Sequence, residues 1–418
     1  MRKHLIILNY QREIPPFMLS QIKYAAQQYG DVFYVTRDLV NDNSKACDVK
    51  NLTVVQAGCA RRGMGGIQAA GGALLHGGAR CFLSALHKQR INPTFIRTQL
   101  KYEAGSYLLY RAALPLISRL GQDNCTVLSA WFMSEAYAAY LLKRRFPGIQ
   151  TVSFAHSFEV QKFRDSDLDL RHIIERHSGI DKILFISRTV LEQYKNEYML
   201  PLGLSTANTG VYYLGSEPNQ REEKGYSKDG VFRLVSCSGI SQVKRLNLLI
   251  EALSEIDNVH AGRLSWTHIG SGPDEDEIKQ FAQSRLQHLD FHFVGYMPNK
   301  LVHRYYEEHP CDLFINVSSM EGLPVSLMES ISYGIPAIAT NVGGTGEVVI
   351  DGLTGLLLPP NPTPEEVRNA LVRFMDMPLS ERKLFASNCK RIWSERFNAS
   401  KNASSLYGFL RTSNVPED

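Results

Sequence analysis

Short apolar runs alternate with helix-like stretches along most of the chain. In the first half, the runs that predict strands are residues 4–9, 32–36, 52–56, 126–131, 151–156 and 182–187. In the second half, they are residues 232–237, 265–269, 291–294, 313–317 and 337–340. Strands that alternate with helical patterns are typical of βαβ units, so the sequence indicates an α/β protein built on parallel sheets.

The helical pattern is clearest between the first two strands of the second half. The apolar residues there recur at helical spacing, at Leu246, Leu249, Ile250, Leu253 and Ile256. This spacing predicts a helix with one buried stripe. The chain from residue 363 onward is helical in pattern as well.

Two domains are expected, because 418 residues exceed what one ordinary core supports. The charged and glycine-bearing part of residues 210–230 interrupts the alternation and predicts the boundary. We therefore expect two Rossmann-like, doubly wound domains, over residues 1–213 and 214–394. The C-terminal helix, about 395–418, is a candidate to pack back onto the first domain.

The composition narrows the class of protein. Hydrophobic residues at 44% and charged residues at 21% are typical of a soluble globular protein. The seven cysteines are scattered and lack C-x2-C spacing, which argues against a disulfide framework or a zinc site and favours a reducing cytoplasm. The first apolar run is too short for a signal peptide, and no window of about 18 apolar residues could cross a bilayer.

The net charge of +4 conceals an asymmetry. Residues 1–200 hold 26 basic and 16 acidic side chains, whereas the remainder holds 20 basic and 26 acidic ones. One interpretation is a solvated basic face, and the other is an N-terminal half that faces an anionic phospholipid surface or a lipid-linked diphosphate. Nucleic acid is not expected as a partner, because no helix-turn-helix, zinc-finger or RNA-binding motif accompanies the charge.

Residues 318–360 carry the most informative pattern. Glu321 falls in a loop, Pro324 at the first helical position, and Glu329 inside the helix that follows. Gly334 ends this helix, and after an apolar strand a second glycine loop runs to Glu347. Proline at the first helical position loses no hydrogen bond, and the free N–H groups of that turn form an anion site at the positive end of the helix dipole.

This arrangement predicts a seat for a diphosphate, to which the hydroxyl of Ser326 adds a donor. Glu329 lies about a turn and a half into the helix, where it can accept hydrogen bonds from a ribose diol. Glu321 precedes the helix and is expected to face whatever lies beyond the phosphates. The pattern is that of a protein that binds a nucleotide-sugar.

The spacing S-x-x-E-G-L-P-x-x-x-x-E-x-x-x-x-G-x-P resembles the glutamate motif of glycosyltransferase family 4. Further resembling segments are residues 243–253, 268–273, 293–298 and 342–358, so the resemblance covers essentially all of 231–358. It implies the GT-B fold, in which two Rossmann-like domains face each other across a cleft. It also implies a nucleotide-sugar donor and retention of the anomeric configuration.

The resemblance further implies the role of each matching residue. Glu329 would hold the ribose and Glu321 a hydroxyl of the donor sugar, while Lys244 would neutralise the diphosphate. The other donor-binding positions are Gly322, Leu323, Pro324, Ser326, Gly295, Tyr296, Gly343, Gly344 and Glu347.

The sequence also departs from the family pattern. The arginine that members carry five or six residues before the lysine is replaced by Gly239 or Ser238, and Arg245 is the candidate substitute. The Gly-Gly loop after the first strand is replaced by residues 9–16, where Arg12 could supply a donor.

In the first domain, the segment 153–160 resembles the family's strand-end histidine segment, and it assigns His156 to the donor sugar and diphosphate. Glu159 resembles the family's acidic partner only loosely. The D-x-D triplets within 165–169 spell a metal–nucleotide motif of the other glycosyltransferase fold, but they lie in a polar run without a preceding apolar strand. We therefore interpret them as a solvated loop and expect no essential metal or cofactor. Residues 56–120 predict tight helix packing or, alternatively, an interfacial surface for a lipid-linked acceptor.

We therefore expect a cytoplasmic enzyme that can associate peripherally with the inner membrane face. It would transfer a hexose-type sugar from a nucleoside diphosphate to a glycan or lipid-linked acceptor in surface polysaccharide synthesis, such as that of lipopolysaccharide or capsule. The alternatives are a nucleotide-sugar epimerase or hydrolase of the same fold, and a catalytically silent scaffold of a polysaccharide assembly complex. The sequence leaves the sugar, base, acceptor, linkage and oligomeric state open.

Overall fold

The computed structural model describes residues 3–37, 49–58, 93–160, 170–217, 226–227, 229–256 and 262–412. The chain divides into two compact units. The first unit consists of Met1–Leu214 together with Ser400–Asp418, and the second of Gly215–Ala399. Each unit contains one parallel sheet flanked by helices.

The sheet of the first unit has seven strands in the order β3-β2-β1-β4-β5-β6-β7. In chain order, β1 to β7 are His4–Asn9, Asp31–Thr36, Leu52–Gln56, Cys125–Ser129, Gln150–Ala155, Lys182–Phe185 and Thr209–Val211. The six strands predicted in this half are confirmed, with ends that shift by one or two residues. The sequence analysis missed β7, because three residues that include a glycine carry too little periodicity to identify a strand.

The described helices of the first unit lie between these strands and after them. The α-helices are Pro16–Gln28, Pro93–Leu120, Ser134–Arg145, Leu170–Gly179, Arg188–Tyr194, Leu200–Leu202 and Ala399–Thr412, with a 3-10 turn at Gln122–Asn124 and a π-helical turn at Lys195–Met199. The last helix packs against the first unit, where Tyr407 Oη donates to Gln21 Oε1 at 3.0 Å. Arg411 Nη1 donates to the carbonyl oxygen of Gln28 at 2.8 Å.

The sheet of the second unit has six parallel strands in the order β10-β9-β8-β11-β12-β13. In chain order, β8 to β13 are Phe232–Cys237, Leu264–Ile269, Asp290–Gly295, Leu313–Asn316, Ala337–Thr340 and Gly355–Leu358. β13 is not among the strands predicted from the sequence. It begins at Gly355, where a Cβ atom would lie 1.8 Å from the carbonyl oxygen of Ala337, so the glycine allows the two strands to approach.

The described helical segments of the second unit follow its strands. They are Gln242–Lys244, Leu246–Ser254, Glu275–Arg285, Asn299–Glu308, Val325–Ser332, Thr345–Val348, Pro364–Met375, Leu379–Ile392 and Trp393–Phe397, of which the first is a 3-10 turn and the last is π-helical. The apolar stripe predicted for the helix Leu246–Ser254 is confirmed: its members, and Ile256 just beyond, are all buried. None of the helices in the described part of the chain has both the length and the hydropathy that crossing a bilayer requires.

Each sheet has a point at which the strand order reverses. In the first unit, β1 lies between β2 and β4, and in the second unit, β8 lies between β9 and β11. Loops that leave the carboxyl ends of the two strands at such a point diverge, which opens a crevice where ligands bind in α/β proteins. In the second unit, the residues that follow β8 and β11 border such a crevice.

Candidate functional site

Two glycine-bearing loops pack directly on each other at the carboxyl edge of the second sheet. One follows β11 and contains Glu321 and Gly322, and the other follows β12 and contains Gly343 and Gly344. The N–H of Gly344 donates to the carbonyl oxygen of Gly322 at 2.7 Å. Gly343 has a φ of 52°, and a Cβ atom there would lie 1.8 Å from the carbonyl oxygen of Glu321, so no other residue fits without displacing the loop.

The helix Val325–Ser332 starts immediately after these loops. The sequence analysis placed Pro324 at the first helical position, but the structure places it one residue earlier, as the N-cap. Its ψ of 111° is extended, which ends the loop before the helix begins. The free N–H groups of the first turn are therefore those of Val325, Ser326 and Leu327, and they remain without intrahelical acceptors. Leu323 is buried beside them.

Lys244 and Glu321 meet at the point where the strand order reverses. Lys244 ends the 3-10 turn after β8, and its Nζ lies 2.8 Å from Glu321 Oε1. Asn316, the last residue of β11, donates to the same oxygen from Nδ2 at 3.1 Å. The loops after β8 and β11 are also joined through their backbones, because the N–H of Ser319 donates to the carbonyl oxygen of Val243 at 2.8 Å. The sequence analysis did not identify Asn316.

Arg245 holds the loops together. Its guanidinium donates to the carbonyl oxygens of Val317, Ser318 and Pro360 at 2.6, 2.9 and 2.9 Å, and to Asn361 Oδ1 at 3.2 Å. Its backbone has a φ of 50°, a left-handed conformation that is uncommon outside glycine. In the structure the donors of Arg245 bind protein oxygens, and its replacement of the missing family arginine at the diphosphate stays a prediction.

Glu329 lies inside the helix and is only 5% exposed. Its Oε1 accepts a hydrogen bond from Asn299 Nδ2 at 2.5 Å and lies 3.6 Å from His303 Nε2. Burial, and secondly the negative charge of Glu329, raise the pKa of the Cys237 thiol to about 12. Glu329 is thus a buried carboxylate with polar partners from another helix.

The remaining predicted positions surround the seat less closely. Gly239 is exposed in the turn after β8, and the nearest atom to a Cβ there is the carbonyl oxygen of Ser271 at 3.7 Å, so the turn does not require glycine. Gly295 ends β10 with a φ of 81°, and Tyr296 after it is 76% exposed. Glu347 is half-buried in the helix Thr345–Val348.

His156 belongs to the first unit, at the end of β5. Its ring packs 4.3 Å from the ring of Trp131 and 5.3 Å from that of Phe17, and Nε2 lies 3.2 Å from the carbonyl oxygen of Ala130. Burial lowers the pKa of His156 to about 4, so the side chain is neutral at pH 7. A neutral ring whose Nε2–H donates to Ala130 has Nδ1 as an acceptor, which suits a hydroxyl group better than a phosphate.

A buried carboxyl group contacts the backbone of this histidine, and a second lies in the same unit. Glu159 accepts a hydrogen bond from the backbone N–H of His156, and its side chain is fully buried. Burial raises the pKa of Glu159 well above its usual value, and burial also raises that of Glu135, which accepts from the N–H of Tyr10 at 2.9 Å. Arg12, the other predicted donor of this unit, is exposed in the loop after β1.

Two sequence hypotheses fall on residues that the structure does not describe. The D-x-D triplets at 165–169 lie outside the described residues, and so does most of the proposed acceptor surface, 59–92. Among the residues that are described, no group of three or more His, Cys, Asp or Glu side chains is arranged to hold a metal ion.

A family model identifies the part of the chain that contains the seat. Residues 218–391 match the family described as Glycosyl transferases group 1. This segment is similar to the glycosyl transferases group 1 family. It contains Lys244, Glu321 and Glu329, together with all of the strands of the second sheet.

Two curated proteins that this chain resembles are named for polysaccharide biosynthesis. An amylovoran biosynthesis glycosyltransferase of Erwinia amylovora is 28% identical over 214 residues, which are 48% of this chain and 51% of that protein. A putative colanic acid biosynthesis glycosyltransferase of Salmonella typhimurium is 24% identical over 208 residues, which are 44% of this chain and 50% of that protein. The chain spans about half the length of these curated relatives.

Solved structures extend the likeness to both units. Anabaena HepE in complex with UDP has a TM-score of 0.68 and is 15% identical, over 97% of this chain and 98% of that one. At this identity the likeness concerns the fold alone. Together with the two parallel sheets, it confirms the GT-B fold that the sequence predicted.

Proposed function

We propose that the protein is a retaining glycosyltransferase that moves a hexose-type sugar from a nucleoside diphosphate to a glycan or lipid-linked glycan. The observation that carries this proposal is the meeting of Lys244 and Glu321 at the strand-order reversal, beside the free first turn of the helix Val325–Ser332. Support comes from the named relatives, which act in amylovoran and colanic acid biosynthesis, and from the UDP bound to HepE.

In this proposal, the diphosphate binds the N–H groups of the first helical turn and the hydroxyl of Ser326. Lys244 already lies against a carboxylate, so a bound diphosphate would compete with Glu321 for its ammonium group. Glu321 would then lose its contact with Lys244 and accept a hydrogen bond from a hydroxyl of the donor sugar. As the diphosphate leaves, Lys244 stabilises the charge that develops on it.

The other proposed roles are those that the resemblance to glycosyltransferase family 4 implies. Glu329 accepts the ribose hydroxyls, Gly295 and Tyr296 lie against the base, and the loop at Gly343 and Gly344 borders the sugar. His156 accepts a hydroxyl hydrogen at Nδ1 as a neutral base. No protein nucleophile is assigned, and we propose that the reaction needs no metal, so activity should persist in excess EDTA.

The association with an anionic membrane face is also a proposal, and it rests on the excess of basic residues in positions 1–200. Vesicle co-sedimentation tests it: binding should require anionic lipid and should weaken with salt, because the Debye length shortens. Binding that is indifferent to both variables would leave the solvated basic face as the explanation.

The nucleotide seat is tested by thermal shift with UDP, GDP, ADP and CDP. We expect at least one nucleotide to stabilise the wild type, and Glu329→Ala to abolish that shift, because ligand binding raises the melting temperature only where it occurs. The matched control is Glu277→Ala, an exposed glutamate on another helix of the same unit, which should keep the shift. A shift of wild-type size in Glu329→Ala would refute the ribose role.

Sugar transfer is tested with nucleotide-sugars that contain the stabilising nucleotide, together with a panel of glycan and lipid-linked acceptors. Product that keeps the donor's anomeric configuration supports the proposal. Incubation with the donor alone distinguishes the rival enzymes, because rapid epimerisation or hydrolysis without an acceptor would contradict a transferase. Binding without turnover across the panel would favour a silent scaffold.

A further inference from the structure

We infer that Asn299 and His303 orient the Glu329 carboxylate and thereby set the preference of the nucleotide site for an intact ribose diol. Both side chains belong to the helix Asn299–Glu308, which follows β10. They are positioning residues, because they act through Glu329. The inference rests on the proposed function, which assigns the ribose to Glu329.

The geometry anchors Glu329 through one oxygen. Residues 299 and 303 are four apart and share a helix face, so both side chains reach the same partner. Asn299 Nδ2 donates to Glu329 Oε1 at 2.5 Å, and His303 Nε2 lies 3.6 Å from that same oxygen. Within the described residues, the structure gives Oε2 no hydrogen-bond partner. The anchored carboxylate therefore presents Oε2 to two adjacent hydroxyl groups.

A chain of polar contacts holds the ring of His303 in place. Tyr333 Oη lies 3.1 Å from His303 Nδ1 and donates to Glu307 Oε1 at 3.3 Å. The ring is thereby held with Nε2 toward Glu329 Oε1, 3.6 Å away.

This support matters because Glu329 is buried. A buried carboxylate needs hydrogen-bond or charge partners, and one that loses them protonates or turns away. Either change would remove the acceptor that distinguishes a ribose from a deoxyribose. A site built to bind a hydroxyl discriminates strongly against a ligand that lacks it.

A purely structural role of Asn299 and His303 would give a different result from a role in orienting Glu329. If Asn299 and His303 only join the helices Asn299–Glu308 and Val325–Ser332, their loss lowers stability and weakens every nucleotide equally. If they orient Glu329, their loss weakens ribonucleotides and spares 2′-deoxynucleotides. The ratio of the two dissociation constants separates the alternatives.

The experiment is calorimetric titration of the full chain with UDP, GDP, ADP and CDP and with the 2′-deoxy form of each. Wild type should bind the preferred ribonucleotide about tenfold more tightly than its 2′-deoxy form, the effect of one hydrogen bond to a charged group. Asn299→Ala and His303→Ala should each move that ratio toward one. Asn299→Asp should weaken ribonucleotide binding further, since it places a second carboxylate at Glu329 Oε1.

The control is Arg304→Ala, which lies next to His303 on the same helix but pairs with Glu308 at 2.7 Å on the exposed side. It should retain the wild-type ratio. In a Glu329→Ala background, Asn299→Ala should have no further effect on the ratio, because the group through which it acts is gone. Melting temperatures without nucleotide show whether each variant is folded.

The outcomes separate this inference from the proposed function. If wild type binds none of the four nucleotides, the proposed function is wrong. If wild type binds and the folded Asn299→Ala and His303→Ala variants keep its ribose preference, this inference is wrong and the proposed function stands. A ratio that falls in both variants and is unchanged in Arg304→Ala supports the inference.

Discussion

Lys244 is the residue whose charge the proposed chemistry needs most. Its ammonium contacts Glu321 at 2.8 Å, and both side chains are partly exposed, so the pair contributes less than about 1 kcal/mol to stability. We expect Lys244→Ala to lower kcat for sugar transfer by about tenfold to a hundredfold, the loss of about 1.5–3 kcal/mol of stabilisation of the leaving diphosphate. Initial rates measure the change, and the melting temperature should hardly move.

The control for Lys244 is Lys383→Ala. Lys383 lines a cavity of about 330 Å³ together with Tyr333, Gly334 and Ile335, which precede β12 and so lie at the opposite edge of the second sheet. Its removal should leave kcat unchanged. An equal loss of rate in both lysine variants would show that general charge, and not the position of Lys244, supports the reaction.

At the scale of elements, the two glycine loops act as one unit. Gly343→Ala places a Cβ atom 1.8 Å from the carbonyl oxygen of Glu321 and imposes a left-handed backbone on alanine. We expect it to lower the free energy of unfolding by about 1–3 kcal/mol and to reduce kcat/KM, because the displaced loop carries Glu321. Denaturant unfolding and initial rates measure the two effects.

Gly30→Ala is the control for the loop substitution, because Gly30 lies in the turn before β2 and outside the predicted site. Its Cβ would meet its nearest neighbour, the carbonyl oxygen of Lys3, only at 3.5 Å, and its φ is not left-handed. Stability and kcat/KM should stay near wild type. If Gly30→Ala were as harmful as Gly343→Ala, close contact between the loops would not explain the requirement for glycine.

For the whole molecule, the two units should respond differently to acid. Burial lowers the pKa of His268 in the second unit to about 4, so this histidine is neutral when folded and binds a proton more readily when unfolded. Its contribution to stability is full above the unfolded pKa of about 6.5 and is lost as the pH falls toward 4. In the first unit, His156 and His177 act likewise, but the raised pKa values of Glu135, Glu159 and His172 oppose them.

The second unit should therefore lose more stability than the first between pH 6.5 and 4.5. Hydrogen exchange that is resolved to peptides of each unit measures this difference. His268→Gln should flatten the pH dependence of the second unit, whatever its effect on absolute stability at pH 7. An unchanged slope in that variant would assign the acid sensitivity to other groups.

Local sequence determined most of the second unit. The alternation of apolar strands with helices fixed the parallel sheet, since both patterns report on neighbouring residues of one segment. The spacing of Glu321, Pro324 and Glu329 likewise depends on one loop and one helix, and it could be read to within one residue. The sequence did not predict β7, whose three residues include a glycine, or β13, which begins at a glycine within a glycine-bearing segment.

Tertiary structure alone decided which side chains meet. Lys244 reaches Glu321 because β8 and β11, far apart in the chain, are neighbours in the sheet, and Asn299 and His303 reach Glu329 across two strand–helix units. The same packing turned Arg245 toward backbone carbonyl oxygens. Periodicity shows which face of an element is buried, whereas the partners on that face depend on strand order, which no local pattern contains.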